Sequence, residues 1–280
     1  MAGTRDACGM PQPIIAAVDP RREDVAPAAL GALLARLTGA PLVVAATYPL
    51  AVSVDNLYPD YARALQVETE QALRRVAATA EAAGVPVTTR AVPADDSPAR
   101  ALHELAEEAG AMFLVIGSSA RGPIGRLLRT AVTDRLLHGA PCPVAVAPAG
   151  FSFEDAAAGP GSIGVAFTDT PDGHAAVTMA RALADPAHVQ VRVLTVAPPL
   201  DPLVTDSLTD SRPVDVLVEA SEGLGLLVCG SRGYGPVRTL LLGGTSHALV
   251  RKAACAVLVV PPGTTERECA ISAAQPLGRR

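Results

Sequence analysis

The chain has 280 residues, 49% of them hydrophobic but only 3% aromatic, with no tryptophan and a formal charge of −5. That length allows one large domain or two ordinary ones with cores of Val, Leu, Ile and Ala, and the acidic balance argues against a nucleic-acid coat or an anionic-membrane binder, because both need a basic footprint. The opening MAGTRDACGMPQP lacks an apolar signal core and no apolar run reaches the ~18 residues of a membrane span, which predicts a cytoplasmic protein.

Strand and helix signals alternate along the first half. Apolar runs predict strands at 13–19, 41–47, 86–92, 112–117 and 143–147, and helical periodicity fills the intervals at 24–38, 60–83, 97–109 and 130–138. In the long helix Leu65, Leu73, Val76 and Ala80 share one face and Gly84 stops it. Ser97 in SPAR is the N-cap of the next helix. Such alternation predicts a parallel sheet covered by helices on both faces.

The chain then repeats itself. Residues 117–150 align without gaps on 230–263 at an offset of 113, with 13 identities in 34 positions. The first strands, PIIAAVDP and SIGVAFTD, align instead at an offset of 149, pairing Asp19 with Thr168, so the second copy is about 36 residues shorter. Its strands are predicted at 162–168, 189–196, 224–230 and 256–260 and its helices at 172–184, 213–222 and 244–253. One helix and one strand, the counterparts of 60–92, are missing, and the proline- and acid-rich 198–213 reads as a loop. A lost strand is tolerable at a sheet edge. The expected organisation is a domain at 13–150, a linker at 151–161, a shortened domain at 162–263 and a tail at 264–280.

The chemistry concentrates in the second glycine turn. A strand ending at Gly230 leads through Gly233, Gly235 and Gly243 to a helix opening on Gly244, Thr245 and Ser246, with Arg232 and Arg238 adding charge. Free N–H groups and the positive end of a helix dipole there suit phosphate oxygens, and the two hydroxyls are further donors. The alternative is that the glycines only let a long loop fold over the sheet. Neither a Walker A loop nor a dinucleotide fingerprint is present.

The spacing Gly230, Gly233, Gly243 followed by ALVRKAACAVLVV resembles the signature of the universal stress protein family, and the likeness spans about 13–263. The resemblance implies two flavodoxin- or Rossmann-like α/β domains of strand order 3-2-1-4-5, the second lacking an edge strand, packed as an intramolecular pseudo-dimer. It implies an adenine-nucleotide regulator rather than an enzyme. ATP with Mg²⁺ would bind in the second half, its phosphates at Gly230, Arg232, Gly233, Gly243, Gly244, Thr245 and Ser246 and its adenosine at Thr168 or Asp169 and Val196. Gly244 stands where the family has Ser or Thr, and Thr168 where it has Asp. In the first half Asp19 is in place, but Ala120, Thr130 and Ala131 replace the phosphate motif, so that half is expected to be nucleotide-free. A protein partner or self-association goes with a signalling role, and the competing expectation is a nucleotide-free scaffold.

Other candidates read as structural. Cys142, Cys229 and Cys255 sit in apolar strand surroundings and Cys8 and Cys269 in the ends, with no zinc spacing among them. His103 and Glu107 share a helix face expected to be solvated, and His247 is placed to touch a phosphate, to cap a helix or to lie on the surface.

Overall fold

Unbroken apolar strands belong in a sheet buried on both faces, and the computed structural model places them so. It describes residues 12–22, 24–50, 59–95, 97–118, 131–195, 213–231 and 243–261. The first half runs β1 (Ile14–Ala17), α1 (Ala26–Thr38), β2 (Leu42–Pro49), α2 (Pro59–Ala82), β3 (Val87–Ala94), α3 (Pro98–Glu108), β4 (Phe113–Gly117), α4 (Ala131–Leu137) and β5 (Val144–Ala147). The second runs α5 (Phe153–Ala158), β6 (Ser162–Phe167), α6 (Pro171–Ala184), β7 (Gln190–Thr195), α7 (Pro213–Ser221), β8 (Leu226–Gly230), α8 (Gly244–Lys252) and β9 (Ala256–Val260). Among the described residues, no helix is long and apolar enough to cross a membrane.

Local signals set the helix ends where the sequence puts them. Ser97 accepts the Arg100 N–H at the start of α3, and Gly84, at φ +75°, follows the end of α2. The 151–161 segment, expected as a linker, carries α5, which begins with a capping box between Ser152 and Asp155. Phe153 and Ala156 of α5 are buried, and the Ala156 carbonyl accepts a 2.7 Å hydrogen bond from Arg36 of α1.

The nine strands of the described residues form one sheet in the order β3-β2-β1-β4-β5-β9-β8-β6-β7. The first half has the expected 3-2-1-4-5 order, and among the described residues the second repeats it without the outermost strand. Register proves the two offsets. Ile14 pairs with Leu42 and Phe113, and Ile163 pairs with Val191 and Leu226, shifts of 149 for the first two strands and 113 for the next. The deletion therefore falls between β7 and β8.

The halves meet where β5 and β9 pair antiparallel, Val144 with Val259, Ala145 with Leu258 and Val146 with Val257. Because Val144 and Val257 are equivalent at offset 113, as are Val146 and Val259, a pseudo-two-fold axis passes through Ala145 and Leu258. Beside that axis Asp134 of α4 and His247 of α8, also equivalent at 113, face each other at 3.7 Å. A symmetric dimer would put like against like there, whereas the tandem chain sets an acid against a histidine.

Losing α2 and β3 leaves a visible scar. Val44 of β2 is 0% exposed in a core that includes Leu73 and Ala80 of α2, and its counterpart on β7, Val193, is 49% exposed. Replacing Val44 by Thr buries a hydroxyl and is expected to cost about 1 to 2 kcal/mol. Val193→Thr is expected to change stability by less than about 0.5 kcal/mol. Urea melts of the two variants check this, and equal costs would mean that β7 is covered in solution.

Candidate functional site

In an open parallel sheet, ligands settle beyond the carboxyl ends of the strands where the connections diverge to opposite faces. That point lies between β1 and β4 in the first half and between β6 and β8 in the second.

In the second half, β8 delivers the chain to Gly230 and α8 returns beside it. The Ser246 hydroxyl donates to the Gly230 carbonyl at 2.8 Å, fixing the first turn of α8 against the strand end. Gly243 is the N-cap and provides no side-chain cap, so the leading N–H groups of α8 lack intrahelical partners. By contrast α3, α5 and α6 are each capped by a hydroxyl, from Ser97, Ser152 and Thr170. Gly244 is exposed, and a Cβ added there would meet nothing within 4 Å. Thr245 is half-buried. Ser231, next to Gly230, is fully buried, and its hydroxyl has no partner among the described residues.

The adenosine end of the expected site is more occupied. Thr168 and Thr170 hydroxyls lie 3.3 Å apart, and the Asp169 carboxylate is 2.9 Å from His174 Nε2. The His174 ring stands edge-on to Phe167. Val196, Arg232 and Gly233 lie outside the described residues, as do Ala120 and Thr130 of the first half. Gly230 itself has a packing reason to be glycine, for an added Cβ would sit 2.7 Å from the Asp172 carbonyl oxygen.

The first half, expected to be nucleotide-free, contains an open crevice. A cavity of about 450 Å³ lies at the β1/β4 divergence, with Val18, Leu65, Leu102, Ile116 and Leu136 among its apolar walls and Asp19, Asp24, Glu68, Asp95, Arg21 and Arg22 as its charges. Loop length explains the difference. Eight residues, 18–25, separate β1 from α1, and only three, 168–170, separate β6 from α6. The first turn of α6 therefore brings backbone atoms of Asp172 against Gly230, whereas the nearest atoms at Gly117, at the end of β4, belong to the side chains of Pro27 and Asp24. The connection lengths were visible in the sequence, but what fills the space beyond each strand end was not.

One side chain differs from expectation, and another has a partner that the sequence did not point to. His103 is not on a solvated face: its Nε2 lies 3.0 Å from the Leu136 carbonyl oxygen, part-buried, and ties α3 to α4. His247 is engaged with Asp134 across the pseudo-two-fold axis. Cys142, Cys229 and Cys255 are buried free thiols. Burial pushes Cys229 and Cys255 up to about 12, the Ser246 hydrogen bond opposing this at Cys229, which leaves both protonated and unreactive at neutral pH.

A family model described as the universal stress protein family matches residues 10–148 and 209–261. The solved structure of a universal stress protein from Archaeoglobus fulgidus superposes with a TM-score of 0.69 at 18% identity, covering 89% of this chain and 98% of that one. A protein from Pseudomonas aeruginosa assigned to the same group gives a TM-score of 0.64 at 15% identity over 95% of this chain and 98% of its own. At such identities these two likenesses speak to the fold, across nearly the whole of both halves.

Proposed function

Because the chain belongs to the universal stress protein family, we propose that it is a cytoplasmic, non-enzymatic stress regulator that binds ATP with Mg²⁺ in its second half and signals through a protein partner or through self-association. The observation that carries this reading is the uncapped, open N-terminus of α8 beside the end of β8. Its N–H groups are oriented donors at the positive end of a helix dipole, a place suited to phosphate. The buried Ser231 hydroxyl next to the strand end, unpaired among the described residues, supports it. In this reading Gly230, Gly243, Gly244 and Thr245 lie against the phosphates, with Arg232 and Gly233 supplied by the intervening loop, and Ser246 joins them by exchanging its bond to Gly230. Thr168, Asp169 and Val196 flank the adenosine.

A nucleotide-free scaffold is favoured by one observation, the close packing of Asp172 on Gly230, which narrows the crevice between β6 and β8. A single substitution separates the two. Gly244→Asp has open space for its side chain, and an acid in the first turn of a helix is favourable to the fold. The same carboxylate repels phosphate. Calorimetric titration with Mg-ATP is expected to show one site per chain in the wild type and at least tenfold weaker binding in Gly244→Asp, roughly the 1.4 kcal/mol that such a charge contact is worth. Absence of heat at millimolar ATP in the wild type leaves the scaffold as the function.

A further inference from the structure

The first-half cavity has a chemistry of its own. Four carboxylates, Asp19, Asp24, Glu68 and Asp95, and two guanidiniums, Arg21 and Arg22, contribute to its lining, a balance of −2. The groups do not compensate one another evenly. Asp19 is paired with Arg22 at 3.4 Å and accepts the Arg21 N–H at 3.0 Å. Asp24 accepts the Ala26 N–H at 3.0 Å. Glu68 on α2 and Asp95 after β3 have no such partner among the described residues. Thr69, one residue on from Glu68, lines the same space while only 4% exposed, and no side-chain hydrogen bond engages its hydroxyl among the described residues.

We infer that this cavity is a binding site for an organic cation, a protonated amine carried on an apolar body. Each part of the geometry has a counterpart in such a ligand. The walls of Val18, Leu65, Leu102, Ile116 and Leu136 take up apolar surface. The free carboxylates at the rim attract a positive charge, and a cleft with low-dielectric walls concentrates that attraction. Thr69 Oγ1 accepts an ammonium N–H in a place where water competes poorly. A phosphate finds the reverse, for the described rim is net acidic. The inference is independent of where a nucleotide binds in the second half.

The test uses the full chain and two ligands of nearly equal shape, tryptamine, an aryl-alkyl ammonium, and tryptophol, its uncharged alcohol counterpart. Calorimetry and thermal shift are expected to show one tryptamine per chain and at least tenfold weaker binding of tryptophol. Glu68 and Asp95 are exposed, so Glu68→Gln with Asp95→Asn leaves the melting temperature unchanged, while weakening tryptamine about tenfold. Gly244→Asp leaves tryptamine binding as it was, so failure of the nucleotide reading and failure of this one are told apart. Equal binding of the two compounds, no saturable binding of tryptamine, or indifference to the double substitution overturns the inference. Displacement of tryptamine by ATP would make the cavity a nucleotide site and overturn the inference too.

Discussion

Leu258→Ala is expected to lower the melting temperature of the entire chain by roughly 6 to 12 °C, in one transition. Leu258 is 0% exposed and sits opposite Ala145 on the pseudo-two-fold axis. It belongs to a core that joins Ile14, Leu33 and Phe113 of the first half to Ile163 and Met179 of the second. The opposite face of the sheet has the same character, with Ile15, Leu114 and Val144 in one cluster with Leu227, Leu249 and Val257. A truncation there leaves a void bounded by both halves, at a cost of about 3 kcal/mol. For a chain of this size each kcal/mol moves the midpoint by roughly 2 to 4 °C. Scanning calorimetry checks both parts of the expectation. Two separated transitions, only one of them shifted, would show that the β5–β9 junction joins two independently folding bodies and does not share a core.

Most of the architecture was legible because the signals behind it are local and periodic. Apolar runs gave the strands, Ser97 and Gly84 marked helix ends, and the two alignment offsets located the missing edge strand, which the pairing of Ile163 with Val191 and Leu226 then reproduced. The joining of the halves followed from the family resemblance rather than from any residue. The site was less legible, for two reasons. Motif spacing says which residues lie near a strand end, and says nothing of what fills the space beyond it; the distinction between an eight-residue and a three-residue connection after the first strand decides that. Side-chain alliances such as Asp134 with His247, His103 with the Leu136 carbonyl and Ser246 with Gly230 join segments far apart in the chain. No local pattern announces them.

The two strand-end glycines offer the sharpest test of that asymmetry. Gly230→Ala is expected to destabilise the protein by about 3 kcal/mol, at the upper end of the usual cost of overpacking, and its counterpart Gly117→Ala by about 1 kcal/mol or less. Neither glycine has a positive φ, so the added methyl acts through its neighbours alone. At Gly230 the Cβ would lie 2.7 Å from the Asp172 carbonyl oxygen and 2.8 Å from its carbon, backbone atoms of the first turn of α6. That turn is held by Thr170, whose hydroxyl accepts the Gly173 N–H at 3.2 Å. It tolerates little displacement, because Gly173 is itself packed directly on the Thr168 carbonyl. At Gly117 the nearest atoms are Pro27 Cγ at 3.3 Å and Asp24 Oδ2 at 3.4 Å, at the edge of a cavity with room for both to shift. Denaturant melts of the two variants measure the difference, and any ligand of the first-half cavity adds a second readout, since the methyl introduced by Gly117→Ala would crowd that site without unfolding it. Equal destabilisation would mean that the α6 turn yields as readily as the 18–25 loop. The packing of Asp172 would then not be what requires a glycine at 230.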